Sequence, residues 1–175
     1  YDEFHIEYTA TSDAACPVNL TNHCYFNLSA GDENTILNHD LRVIAEHITD
    51  LDENSIPTGQ LIAVLDTIYD LNDKKNLGNQ FKSIDGYDHN WVIGTKSERP
   101  KFVASLFHNP SGRVLEVYTT EPGIQVYTSN GFDGSLKHTK ANKSYEKHGA
   151  ICLETQMYPD SPNHDNFPNT ILFPD

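Results

Sequence analysis

The sequence predicts an all-β fold of antiparallel strands, a sandwich or barrel. Helical periodicity is scarce. Short runs rich in Val, Ile, Thr, Tyr and Phe recur instead, and Pro-Gly, Ser-Gly and Asn-rich signals separate them. Residues 3–11 ("EFHIEYTAT") and 18–28 ("VNLTNHCYFNL") alternate apolar or aromatic with polar positions, as strands with two unlike faces do. Residues 40–47 and 60–65 carry branched aliphatic side chains. The segments 90–93, 102–107, 113–119, 124–129 and 149–157 follow, each short and rich in β-formers. "NPSGR" at 109–113 reads as a tight connection. "TEPGIQ" reads as a type II turn with Pro122 and Gly123 at its central positions. Residues 70–90 form a long polar connection with room for one helical turn, and long ordered connections are often functional. The lysine-rich stretch 133–150 reads as an exposed excursion.

The chain has 175 residues, enough for one domain with a real core or for part of a larger one. Its formal charge is −13, which repels phosphate backbones and anionic membrane surfaces, so neither nucleic acid nor a membrane is an expected partner. No apolar run reaches the ~18 residues of a membrane span. Both ends read as cut from something longer. The three cysteines, Cys16, Cys24 and Cys152, form no CxxC pattern, which argues against a disulfide framework or zinc site and for a reducing, cytoplasmic setting. Nine histidines show no HxH or HExxH spacing, so no metal is expected.

Alternation assigns faces to the candidate chemistry. In "LTNHCYFNL", Leu20, Asn22, Cys24, Phe26 and Leu28 share one face, while Thr21, His23, Tyr25 and Asn27 share the other. In "GAICLETQMY", Glu154 shares a face with Ala150, Cys152, Gln156 and Tyr158, and burial there raises a carboxyl pKa and makes a better base. "PGIQVYTSN" puts Gln125 and Tyr127 opposite Ile124 and Val126. "DGYDHNWVI" carries Asp88, His89 and Asn90 into an apolar strand. Acids, amides and aromatic rings together suit a sugar: hydroxyls need paired donors and acceptors, and the ring's C–H faces need an aromatic plate. Taken singly, each residue has a plainer reading. A lone strand histidine is usually structural, and a lone mid-strand glutamate usually faces solvent.

Five stretches, in order, resemble the C-terminal half of the aldose 1-epimerase (galactose mutarotase) family: "PVNLTNHCYFNLS", "IPTGQLIAVLDTIYDL", "GYDHNWV", "PGIQVYTSN" and "LETQMYPDSPNHDNFPNTIL". The resemblance implies a large antiparallel β-sandwich, the galactose mutarotase-like supersandwich, of which residues 1–175 are the C-terminal part. It implies an N-terminal half and a final strand beyond this chain, the former bringing an arginine and a further histidine to the cleft. It also implies a cofactor-independent isomerase that interconverts the α and β anomers of free aldohexoses such as D-galactose and D-glucose. Carried over by motif, His23 is the general acid and Glu154 the general base. Cys24, Tyr25, Asp88 and Gln125 line the sugar. Cys24, where Ser or Thr is commoner, and Asp165, where Pro is usual, depart from the family pattern. Two other readings fit the same residues: a sugar-binding module without turnover, and a glycoside hydrolase using Asp88 and Glu154 as a carboxylate pair.

Overall fold

The computed structural model describes residues 2–136 and 138–174. In chain order the strands are β1 (Cys16–Pro17), β2 (His39–Val43), β3 (His47–Leu51), β4 (Pro57–Ala63) and β5 (Lys75–Asn76). The short helix α1 (Leu77–Gln80) comes next. It is followed by β6 (Asp88–Val92), β7 (Lys101–His108), β8 (Arg113–Thr119), β9 (Gly123–Tyr127), β10 (Cys152–Gln156) and β11 (Ile171–Leu172). They form a five-stranded sheet, β10-β9-β6-β3-β4, and a four-stranded sheet, β5-β2-β7-β8; β1 pairs with β11 apart from both. All pairings are antiparallel. Among the described residues no helix is long and apolar enough to cross a membrane.

The core is continuous across the two sheets. Leu41, Val43, Ala104 and Leu106 come from the four-stranded sheet, and Ile48, Trp91, Ile124, Val126 and Leu153 from the five-stranded one. Each large aliphatic side chain so buried stabilises the fold by about 1.5–3 kcal/mol. The opposite face of β6, β9 and β10 is thereby left to polar side chains.

Several expectations are corrected. Residues 3–11 are exposed and unpaired, because the segment finds no neighbouring edge. Residues 18–28 are extended, yet only Phe26 makes a bridge, to Ile151. The expected strand at 40–47 is β2 as far as Val43; the chain then crosses to the other sheet, where only His47 of the expected run belongs to β3, whose last residues open the polar run "DLDENS". Gly123 opens β9 without a positive φ, so the type II turn expected with Pro122 and Gly123 at its centre does not form; the segment carries the chain from one sheet to the other. The connection at 109–113 is as expected: Gly112 has φ +69° and its N–H donates to the His108 carbonyl at 2.9 Å. The 70–90 connection contains the helical turn α1, capped by the Asn76 side chain.

Candidate active site

Strand register builds the site. On the face away from the core, Cys152 stands beside Tyr127 and Tyr127 beside Asp88. One step along, Glu154, Gln125 and Asn90 form a second row, and then Gln156, Gly123 and Val92 a third. "LETQ", "GIQVY" and "GYDHN" therefore contribute alternate side chains to one surface because β10, β9 and β6 are adjacent. The turn before β6 is fixed by "TSN": the Tyr87 N–H donates to the Thr128 hydroxyl at 2.8 Å, and the Asn130 amide donates to the Tyr87 carbonyl at 3.0 Å. Gly86, at φ +105°, passes so close that a Cβ would lie 2.6 Å from the Thr128 hydroxyl oxygen.

His23 arrives from outside the sheet. Its segment lies along β10 but is tied mostly by side chains. The Asn19 amide donates to the Met157 carbonyl at 3.1 Å and accepts the Met157 N–H at 3.0 Å, while the Thr21 hydroxyl donates to the Thr155 carbonyl at 3.0 Å. Phe26 and Ile151 exchange backbone hydrogen bonds at 2.8 and 2.9 Å. Between these anchors, the imidazole Nε2 of His23 stands 3.3 Å from Glu154 Oε1.

An open cleft of about 310 Å³ is lined by His23, Asp88, Gln125, Tyr127, Glu154, Gln156 and Pro159. Four of the expected site residues, His23, Asp88, Gln125 and Glu154, thus share one wall. Cys24 and Tyr25 stand outside it. The Cys24 N–H closes a local turn onto the Asn22 side chain at 3.1 Å. Tyr25 backs His23, with ring centroids 4.9 Å apart, and stacks on Phe132 at 5.3 Å. Tyr127 and Gln156, which alternation put on the faces of Gln125 and Glu154 without a role, also line the cleft, and Pro159 joins them from the turn after β10.

Glu154 is 7% exposed. Burial raises its pKa above the ordinary carboxylate value, the Asp88 carboxylate raises it further, and His23 opposes both. Gln125 ties the rows together, its Nε2 donating to Asp88 Oδ1 at 2.8 Å. The donor atoms of His23, Cys152 and Glu154 gather within 4.8 Å of one another, a metal-competent set that chain spacing did not reveal. Burial, and then the neighbouring Glu154, push the Cys152 thiol up to about 12, so at neutral pH it stays protonated and is a poor ligand or nucleophile. A carboxylate and an imidazole facing one cleft can move protons between two oxygens of a bound molecule.

A family model described as aldose 1-epimerase matches residues 1–175. The chain is 43% identical to galactose mutarotase of Bos taurus over 175 residues, covering 98% of this chain and 50% of that protein. It is 34% identical to aldose 1-epimerase of Escherichia coli (strain K12), covering 96% and 49%. The crystal structure of an aldose epimerase homologue from C. elegans superposes with a TM-score of 0.80 at 29% identity, covering 94% of this chain and 49% of that one. The chain spans about half the length of the relatives it matches. With the whole of its length matched by the family model, and with the mutarotase-like β fold, the chain belongs to the aldose 1-epimerase family.

Proposed function

We propose that the protein carrying this chain is a cofactor-independent aldose 1-epimerase acting on free aldohexoses such as D-galactose and D-glucose. The observation that carries the reading is the His23–Glu154 pair, 3.3 Å apart on the wall of a polar cleft, with the carboxylate made more basic by burial. Glu154 removes the proton of the anomeric hydroxyl while His23 delivers one to the ring oxygen. The ring opens, the aldehyde turns about C1–C2, and closure on the other face reverses both transfers. Asp88 and Gln125 hold sugar hydroxyls. Cys24 and Tyr25 support the acid, Tyr25 by packing against its ring. Both proton transfers are performed by side chains, so the reaction calls on no metal or nucleotide. The acidic surface disfavours nucleic acid and anionic membranes, and a reducing, cytoplasmic setting suits the free thiols.

Polarimetry of freshly dissolved α-D-glucose and α-D-galactose with the full-length protein tests this. His23→Asn and Glu154→Gln are each expected to lower kcat by roughly 10²–10⁴-fold. A parent that leaves mutarotation at the spontaneous rate, or variants as fast as the parent, sinks the proposal.

A further inference from the structure

We infer that Thr49, Asn90 and Gln125 floor a side pocket that receives one hydroxyl-bearing arm of the sugar and so selects among aldoses; this rests on the sugar reading above. A cavity of about 90 Å³ opens beside the main cleft, with Asp88, Gln125 and Pro159 as the shared wall and Leu51, Ser55 and Pro57 completing the lining. Asn90 is 1% exposed, yet neither its amide oxygen nor its amide nitrogen has a hydrogen-bond partner among the described residues. The same holds for the hydroxyl of Thr49, which is 0% exposed, and for the Gln125 amide oxygen. Buried polar groups are rarely left without partners, and four in one patch mark a place where something polar binds.

The chemistry of the four atoms selects the ligand. The Asn90 amide nitrogen donates, the Asn90 and Gln125 amide oxygens accept, and the Thr49 hydroxyl does either. A hydroxyl, which both donates and accepts, satisfies such a set. A carboxylate or phosphate only accepts, and meets the Asp88 carboxylate at the entrance. With a water's share of liquid volume at about 30 Å³, the cavity has room for a CHOH or CH₂OH group but not for a second sugar ring.

The backbone is shaped for this. The β3–β4 register shifts between Thr49 and Leu51, and an irregularity of this kind re-aims side chains at a sheet's edge. On β9, a Cβ at Gly123 would lie 2.6 Å from the Asn90 amide oxygen, so the missing side chain leaves that amide its place.

The test pairs a subtle variant with a series of monodeoxy sugars, using the full-length protein. Thr49→Val keeps the shape and removes only the unpartnered hydroxyl. It is expected to lower kcat/KM for the parent aldose about tenfold, the effect of one hydrogen bond of ~1.4 kcal/mol. That penalty should vanish for the one deoxy sugar that lacks the hydroxyl seated in the pocket. Asn90→Ala should single out the same sugar. A pocket filled by solvent, or by the remainder of the full-length chain, gives an equal penalty for every deoxy sugar, or none, and overturns the inference. If the parent does not accelerate mutarotation, the epimerase reading fails by itself. The pocket is then judged by equilibrium binding of the same series to parent and Thr49→Val, where uniform affinity ratios, or no binding, refute it.

Discussion

Glu154 is a useful base because three surroundings act on one carboxyl. Burial and the Asp88 charge raise its pKa, and His23 pulls it back. The base works deprotonated, so the rate falls as pH drops through that raised pKa. Asp88→Asn removes a negative neighbour, and proton uptake by Glu154 then becomes less favourable. The acid limb of the kcat–pH profile should therefore move to lower pH, even though loss of a sugar contact lowers the overall rate. A limb that stays put or moves upward would show that Asp88 does not act on Glu154. At this scale sequence reasoning reached furthest. Residue type and alternation singled out His23, Glu154, Asp88 and Gln125, and the family motifs gave them roles; the fold brings these four to one cleft, but not Cys24 and Tyr25, which the motifs also nominated. It did not reach the depth of Asn90 or Thr49, because burial on this polar face is set by neighbouring strands that a single segment does not encode.

The segment of residues 18–28 illustrates what an element-level reading misses. Alternation set His23 and Tyr25 apart from Cys24, Phe26 and Leu28; the first two are exposed and the other three partly buried, but Leu20, assigned to the same face as Phe26, is exposed. The backbone is extended, as period two requires, but the ladder to β10 is largely replaced by the Asn19 and Thr21 side chains. Local sequence specifies an extended chain; whether backbone or side chain makes the cross-links depends on the distance to the partner strand. The same limit hid β3 and turned the expected Pro122–Gly123 turn into a crossing between sheets. These side-chain anchors make a prediction for the element. Asn19→Ala deletes both bonds to Met157 at an exposed position, so the fold should lose about 1 kcal/mol in denaturant unfolding. The His23 loop is also loosened. kcat should fall while sugar affinity is largely kept, since Asp88, Gln125 and Glu154 stay on the sheet. Loss of affinity with kcat intact would mean that Asn19 does not position the acid.

At the level of the whole molecule, the sandwich closes around two buried imidazoles that belong to no catalytic step. His39 and His108 stack with centroids 4.5 Å apart on paired strands β2 and β7, and Glu33 Oε1 lies 3.3 Å from His108 Nε2. His39 Nε2 accepts the Leu28 N–H at 3.0 Å, which joins this core pair to the far end of the His23 segment. Accepting that bond requires a neutral ring. Burial, and then the His108 imidazole, push His39 down to about 4. Unfolded, a histidine titrates near 6.5. Above that pH both states are neutral and the fold keeps its full stability. As pH falls from about 6.5 to about 4, the unfolded chain gains a proton that the folded chain refuses, and stability is lost. By pH 5 the loss is about 2 kcal/mol, approaching about 3 kcal/mol near pH 4. Most carboxylates are still ionised at pH 5, so the comparison of pH 7 with pH 5 separates the histidine from the general titration of an acidic surface. Urea unfolding at the two pH values should show this loss in the parent. His39→Gln, which keeps an acceptor for the Leu28 N–H but cannot titrate, should be less stable at pH 7 yet lose less than the parent between the two; the loss that remains includes that of His89, whose pKa burial also lowers. An equal pH 7-to-5 loss in parent and variant would assign the acid sensitivity to groups other than His39.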